Sequence, residues 1–214
     1  LVDGAYSLGL FGDVATEMCI VLDGDEGLFA SYSDVQFRAP VRAGDVLEVI
    51  ATLVKEGTRK PWGVGLITWA ANEAVLEQVL AARPDAVMLS FGDPRRLGRL
   101  VNAAGCRLIC QVQDREGAQL ALEAGADLIV AQGTEAGGHG GDRATLPLVP
   151  AIVDLVAPVP VLAAGGIADG RGLAAALMLG AHGALMGTRF CATHQALAPA
   201  PAKRRLLAAQ GEST

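Results

Sequence analysis

From Trp62 onward, short apolar runs alternate with segments whose apolar residues recur at helical spacing. Continuous apolar runs of this kind are typical of strands buried on both faces of a parallel sheet, which helices connect. The predicted strands cover residues 64–68, 86–89, 108–112, 128–131, 159–163 and 183–186. The predicted helices cover residues 72–82, 95–104, 115–124, 149–156 and 171–179. The pattern therefore predicts an α/β fold, a partial (β/α)8 TIM barrel of about six βα units rather than eight.

Residues 1 to about 58 follow a different pattern. Apolar positions from Leu8 to Ile20 predict one amphipathic or buried helix, and residues 28–37 and 46–54 read as extended segments. A helix followed by a hairpin-like pair of strands is an α+β pattern. Because the composition changes between Lys55 and Lys60, we place a boundary there and predict two regions, residues 1–58 and 59–214.

Composition and charge exclude several classes of partner. The chain has 17 Lys and Arg against 23 Asp and Glu, a net charge of −6, which disfavours nucleic acid because phosphate-backbone binding needs a basic face. The basic cluster Lys203, Arg204 and Arg205 is better explained as a solvated helix face. No apolar run approaches the roughly 18 residues of a membrane span, so we expect no membrane insertion.

The four cysteines indicate a reducing compartment. Cys19, Cys106, Cys110 and Cys191 lack CxxC spacing and a histidine at metal-ligand spacing, so we expect small buried hydrophobic side chains and no metal site. The N-terminus also lacks the basic and apolar regions of a signal peptide. Both observations predict a cytoplasmic location.

The most distinctive motif is the glycine-rich stretch 132–141, which places His139 in a loop directly behind the apolar run 128–131. A strand that ends in such a loop can bring backbone N–H groups and an imidazole close to a bound ligand. The alternative is an ordinary turn with a solvated histidine. Glycines on both sides of a lone histidine favour the functional interpretation.

Two further apolar runs end in glycine turns that favour phosphate. One run leads into residues 164–170, and the other, 184–186, leads into Gly187, Thr188 and Arg189. Such turns supply unblocked backbone N–H donors, the positive end of a helix dipole and here the Thr188 hydroxyl. The loops after the last two strands of a (β/α) barrel are a common phosphate site. Two tight turns that need glycine only for their geometry are the alternative.

Five motifs in order resemble the nitronate monooxygenase family, which includes related FMN-dependent enoyl reductases. They are residues 62–69, 88–94, 131–141, 163–170 and 186–190, and the resemblance covers residues 61–214. It implies an FMN-binding barrel in which His139 is the catalytic base. It also implies flavin or phosphate contacts from Gln132, Gly133, Gly138, Gly165, Gly166, Gly187 and Thr188. Ser90 is a weaker candidate for substrate contact, and Glu135 is equally well explained as a solvated loop carboxylate.

Residues 1–58 resemble the hotdog-fold 3-aminobutyryl-CoA ammonia-lyases, through residues 1–5, 10–17, 23–29 and 35–45. The resemblance implies a CoA-thioester site, with Asp13 and Glu17 as acid/base carboxylates. Their spacing of four residues puts them on one helix face, where a solvent-facing acidic patch is the alternative. Both resemblances are incomplete, which suggests a fusion or chimera of two truncated frames.

The leading functional hypothesis is an FMN-dependent oxidoreductase that oxidises alkyl nitronates or nitroalkanes with O2. A neutral imidazole at His139 can take the acidic α-proton of a nitroalkane near neutral pH. The alternatives are an FMN-dependent enoyl-thioester reductase, a CoA-thioester ammonia-lyase formed by the N-terminal fragment, and an inactive fusion product. The expected partner is a small-molecule substrate, and formation of a homo-oligomer stays open.

Overall fold

The computed structural model describes residues 61–194, 196 and 199–209. The predicted hotdog-like fragment, residues 1–58, lies outside this part of the chain. The strands are β1 (Gly63–Ile67), β2 (Ala86–Ser90), β3 (Arg107–Val112), β4 (Leu128–Gln132), β5 (Val161–Ala164) and β6 (Gly183–Leu185). The helices are α1 (Glu73–Ala81), α2 (Arg95–Ala103), α3 (Arg115–Glu123), α4 (Thr145–Val156), α5 (Gly170–Met178), α6 (Thr188–Cys191) and α7 (Ala200–Ala208).

The six strands form one parallel sheet in the order β1-β2-β3-β4-β5-β6. Each strand pairs with the next one along the chain, and a helix connects each pair. Sequential parallel strands with intervening helices are the arrangement of a TIM-type barrel, so the predicted α/β, TIM-barrel-like fold is confirmed. All the strands point the same way, and their carboxyl ends therefore lie at one edge of the sheet.

The two faces of the sheet differ in burial. In β3, Leu108, Cys110 and Val112 are buried, whereas Gln111 is half-buried, because successive side chains point to opposite faces. The buried face packs against the helices, and its core includes Leu76, Leu89, Leu97, Leu108, Ile129, Leu148 and Ile152. On the other face, Ser90 and Gln111 are register partners.

Side-chain caps fix where three of the helices begin. Asn72 accepts a hydrogen bond from the Val75 amide (3.0 Å) before α1, and Asp114 accepts one from the Gly117 amide (2.7 Å) before α3. Asp169 plays the same part at α5. Each cap satisfies backbone N–H groups that have no partner in the first turn. The caps therefore set the length of the loops that follow β1, β3 and β5.

Two element boundaries lie two or more residues from the sequence prediction, and a proline explains each difference. Helix α4 begins at Thr145 rather than near residue 149, because Pro147 lies in the first turn, where a missing N–H is tolerated. Pro150 lies inside the same helix. Strand β5 begins at Val161 rather than residue 159, because Pro160 has no N–H to donate to a strand ladder.

The cysteines do not all follow the prediction of burial. Cys110 is buried, and burial raises the pKa of its thiol to about 12. Cys106 is half-buried, and its Sγ donates a hydrogen bond to the Pro84 carbonyl (3.0 Å). The prediction is wrong for Cys191, which is exposed because it ends the short surface helix α6.

Residues 63–189 form one compact unit, and the described residues from Phe190 onward fall outside it. In this C-terminal segment, Lys203 on α7 donates a hydrogen bond from Nζ to the His194 carbonyl (3.1 Å). Arg204 and Arg205 are exposed, as expected for a solvated helix face. Across the described ranges, no helix combines the length and apolar character needed to cross a membrane.

Candidate functional site

The candidate site lies at the carboxyl edge of the sheet in the unit formed by residues 63–189. The ends of β2 and β4 and the segments that follow β4, β5 and β6 contain the residues singled out from the sequence. In a barrel of this type, the loops at this edge form the active site because the strands hold them rigidly. The longest of them, residues 133–144 between β4 and α4, contains His139, and we call it the histidine loop.

The His139 imidazole lies against two aromatic rings from neighbouring loops. Its centroid is 5.7 Å from that of Trp69 in an edge-to-face arrangement and 5.2 Å from that of Phe91 in a tilted one. Phe91 has a φ of +62°, a left-handed backbone conformation that non-glycine residues rarely adopt. His139 itself is exposed, and Trp69 retains 51% of its accessible surface. The rings therefore restrict the imidazole while leaving it accessible.

Two glutamines connect the histidine loop to the ends of β3 and β4. Gln132, the last residue of β4, is buried and donates from Nε2 to the Gly137 carbonyl (3.3 Å). Gln113, just beyond β3, donates from Nε2 to Gln132 Oε1 (3.0 Å) and to the His139 carbonyl (2.7 Å). The backbone carbonyls of Gly137 and His139 are thus both held from the sheet.

Glu135 holds the start of the histidine loop against helix α4. Its Oε2 accepts hydrogen bonds from the Thr145 amide (2.8 Å) and the Thr145 hydroxyl (2.7 Å), at the start of α4. Burial alone raises the pKa of Glu135, but the hydrogen bonds from Thr145 outweigh burial and lower the pKa below its ordinary value. Glu135 is exposed, as the solvated alternative expected, yet its carboxylate takes the place of a helix cap because Ala144 provides none.

Close packing between the loops requires glycine at residues 133 and 165, and backbone conformation requires it at residue 166. A Cβ on Gly133 would collide with the backbone nitrogen and hydroxyl of Thr145. A Cβ on Gly165 would lie 2.8 Å from the Thr145 hydroxyl and 2.9 Å from the Ala136 nitrogen. Gly165 and Gly166 have φ values of +110° and +69°. Backbone geometry therefore requires glycine here whether or not a phosphate binds.

Two other glycines of the site, Gly138 and Gly187, face open space. No atom lies within 4 Å of the Cβ position of Gly138 or Gly187. The Cβ position of Gly137 lies 3.6 Å from the Thr188 hydroxyl, so the histidine loop reaches the turn after β6. The loops after β4 and β6 are thereby brought together, with room for a ligand beside Gly187.

Two polar side chains lie at the ends of β1 and β2. Ser90 is buried and donates from its hydroxyl to Gln111 Oε1 (3.2 Å), so this residue already has a partner on β3. Thr68 is 8% exposed, and its hydroxyl has no hydrogen-bond partner among the described residues. A buried polar atom without a partner indicates that a ligand or water completes its hydrogen bonding.

Sequence reasoning missed Gln113, Thr68, Trp69 and Phe91 as parts of this site. Trp69 and Phe91 lay inside motifs that were recognised, but their contacts with His139 depend on three separate loops meeting. A signal was available for Gln113. It lies two residues after Gln111, and residues at that spacing share one face of a strand.

Comparisons with known proteins place the chain in a family. The sequence model of the nitronate monooxygenase family matches residues 40–214, so the match begins within the region predicted to be hotdog-like. A Mycobacterium tuberculosis protein named (3aS,4S,5R,7aS)-5-hydroxy-7a-methyl-1-oxo-octahydro-1H-indene-4-carboxyl-CoA dehydrogenase is 38% identical over 173 residues. That alignment covers 79% of this chain and 49% of the dehydrogenase.

Two solved structures are similar. FabK from Thermotoga maritima has 37% identity and a TM-score of 0.67, over 71% of this chain and 49% of FabK. A nitroalkane oxidase from Streptomyces ansochromogenes has 29% identity and a TM-score of 0.61, over 69% of this chain and 55% of the oxidase. The chain spans half the length or less of the curated relatives it matches. It belongs to the nitronate monooxygenase family of oxidoreductases.

Proposed function

We propose that the chain is part of an FMN-dependent oxidoreductase that oxidises alkyl nitronates or nitroalkanes with O2, with His139 as the base. The observation that carries the proposal is the position of His139. Its imidazole is accessible, lies against two aromatic rings and belongs to a loop that reaches the Gly187–Thr188 turn. A proton-accepting group and a candidate phosphate turn therefore share one loop cluster.

The residues at this edge fit FMN. The space at the Cβ position of Gly187 is empty, so a phosphate could approach the backbone there. The next residue, Thr188, adds a hydroxyl group that could donate a hydrogen bond to the phosphate. We propose that backbone groups of Gly138, Gly165 and Gly166 also contact the cofactor. Gln132 and Gly133 lie at the end of β4, where we propose that they line the flavin. The Thr68 hydroxyl, which has no partner in the described part of the chain, offers a polar contact for the ring system. Bound FMN would supply the electron-accepting chemistry.

The role of His139 follows from the acidity of the substrate. A nitroalkane carries an acidic α-proton, which a neutral imidazole in hydrogen-bond reach can accept near neutral pH. Trp69 and Phe91 restrict the ring, so that it meets the substrate in few orientations. A nitronate has already lost this proton. His139 therefore matters more for nitroalkanes than for nitronates, and Ser90 is a weaker candidate for holding the substrate.

One comparison favours a second candidate, oxidation or reduction of a CoA thioester. The relative from Mycobacterium tuberculosis is named a carboxyl-CoA dehydrogenase and aligns with 79% of this chain. The predicted enoyl-thioester reductase belongs to the same class and would require NAD(P)H. The two candidates share the flavin and differ in substrate and in the need for nicotinamide.

Oxygen consumption separates the two candidates. The chain, reconstituted with FMN, is supplied with an alkyl nitronate in air-saturated buffer without nicotinamide, and O2 is followed with an electrode. We expect O2 uptake that depends on both the nitronate and FMN. A lack of uptake, together with NAD(P)H oxidation that depends on an enoyl-CoA, would contradict the nitronate proposal and support the thioester candidate.

A further inference from the structure

The loop that carries His139 has little intrinsic rigidity. Gly137, Gly138, Gly140 and Gly141 flank the histidine, and glycine has more backbone freedom than any other residue. Gly138 has a φ of +85°, and nothing lies within 4 Å of the Cβ positions of Gly138 and Gly140. Packing of Gly138 and Gly140 cannot fix the backbone on either side of His139. Contacts from outside the loop must do so.

Gln113 makes the hydrogen bond that acts on His139 itself. Its Nε2 donates to the His139 carbonyl at 2.7 Å and to Gln132 Oε1 at 3.0 Å. A primary amide has two N–H donors, and these two hydrogen bonds use both of them. The Cβ position of Gly141 lies 3.0 Å from Gln113 Cβ, so the loop also packs against the glutamine stem.

Gln132 holds the Gln113 amide in this orientation. Gln132 is 3% exposed, and its own Nε2 donates to the Gly137 carbonyl at 3.3 Å. The two amides therefore form a chain from the end of β3 through the end of β4 to the histidine loop, at residues 137 and 139. Strand ends are more rigid than loops, so the two hydrogen-bonded amides restrict the motion of the histidine loop.

We propose that Gln113 is a positioning residue, which fixes the His139 imidazole by holding its backbone carbonyl. The inference rests on the proposed role of His139 as the base. The hydrogen bond from Gln113 goes to the His139 backbone, and the ring contacts of the imidazole are with Trp69 and Phe91. The effect of Gln113 on turnover must therefore pass through His139.

Gln113→Leu and Gln113→Glu test the proposal through kinetics. Leucine cannot donate, and glutamate keeps the shape but presents acceptor oxygens to the His139 carbonyl. We expect each variant to lower kcat/KM for a nitroalkane by roughly tenfold to a hundredfold, because a small misplacement of a reacting group has effects of this size. The matched control, Gln119→Leu on the exposed face of α3, should leave kcat/KM unchanged.

A double variant distinguishes positioning from a general loss of structure. If Gln113 acts through His139, Gln113→Leu should cause no further loss in a His139→Ala background. A full additional tenfold loss in that background would overturn the proposal. Far-UV circular dichroism checks folding, and Gln113→Glu carries the test if the leucine variant does not fold.

NMR gives a readout that does not depend on activity. The chain has three histidines, so selective histidine labelling yields three imidazole signals, which His139→Ala assigns. We expect Gln113→Leu to shift or broaden the His139 signal and to leave those of His182 and His194 unchanged. An unchanged His139 signal would overturn the positioning role. Full nitroalkane turnover in His139→Ala would instead contradict the proposed function, and the NMR result would still decide the role of Gln113.

Discussion

Glu135 connects the histidine loop to helix α4 through a single carboxylate oxygen. The oxygen accepts hydrogen bonds from both the amide and the hydroxyl of Thr145. The negative charge also lies at the N-terminus of a twelve-residue helix, where the helix dipole stabilises it. The same contact therefore stabilises the helix and holds the start of the loop that contains His139.

We expect Glu135→Ala to lower the free energy of unfolding by about 1 kcal/mol at pH 7, as for the loss of a helix N-terminal cap. The pKa of Glu135 is lowered in the folded chain, so its contribution is present above its unfolded pKa, whose ordinary value is 4.5. That contribution is lost as the pH falls through the folded value. Urea unfolding of the wild type and the variant at pH 7 and pH 3 measures the difference.

The control for this prediction is Glu77→Ala, on the exposed face of α1. It should change the free energy of unfolding by less than about 0.5 kcal/mol at either pH, since surface substitutions usually do. A Glu135 variant that behaves like the control at pH 7 would show that the carboxylate does not cap α4.

At the scale of elements, the strands were predictable because both faces of a parallel sheet are largely apolar. The predicted and observed ranges of the six strands differ by at most two residues at either end. Helix α4 was placed four residues late because its first turn contains Pro147. The contact between the loops after β4 and β6 joins residues that are far apart in the sequence. The spacing of apolar residues within one segment cannot predict such a contact.

The glycine turns give an element-scale prediction about FMN. Gly187→Val should abolish FMN retention with little change in the far-UV spectrum, because its side chain would enter open space beside the proposed phosphate site. Gly187 is a better position for this test than Gly166, whose φ of +69° would strain any side chain. Flavin fluorescence during an FMN titration measures retention.

Ala103→Val provides the control for this test. Ala103 is exposed at the end of α2, just before β3, and so lies at the opposite edge of the sheet from the glycine turns. We expect this variant to bind FMN like the wild type. Equal binding by the Gly187 and Ala103 variants would remove the turn after β6 from the phosphate site.

At the scale of the whole molecule, the family match extends beyond the described fold at both ends. The family model matches residues 40–214, and the described sheet lies within residues 63–189. Three expectations stay predictions: that the chain is a fusion of two incomplete sequences, that it can form a homo-oligomer, and that it is cytoplasmic. The motifs after β4, β5 and β6 predicted the candidate site from sequence because each combines a strand end with glycines. The partners of His139 emerged only from the fold.

The central claim is that His139 removes a proton from the substrate in an FMN-dependent oxidation. The most direct measurement compares wild type and His139→Asn, both loaded with FMN, on a nitroalkane and on its preformed nitronate. We predict that kcat/KM falls about 100-fold or more for the nitroalkane and much less for the nitronate, because the nitronate needs no base. Equal losses on the two substrates, with equal flavin content, would contradict the account.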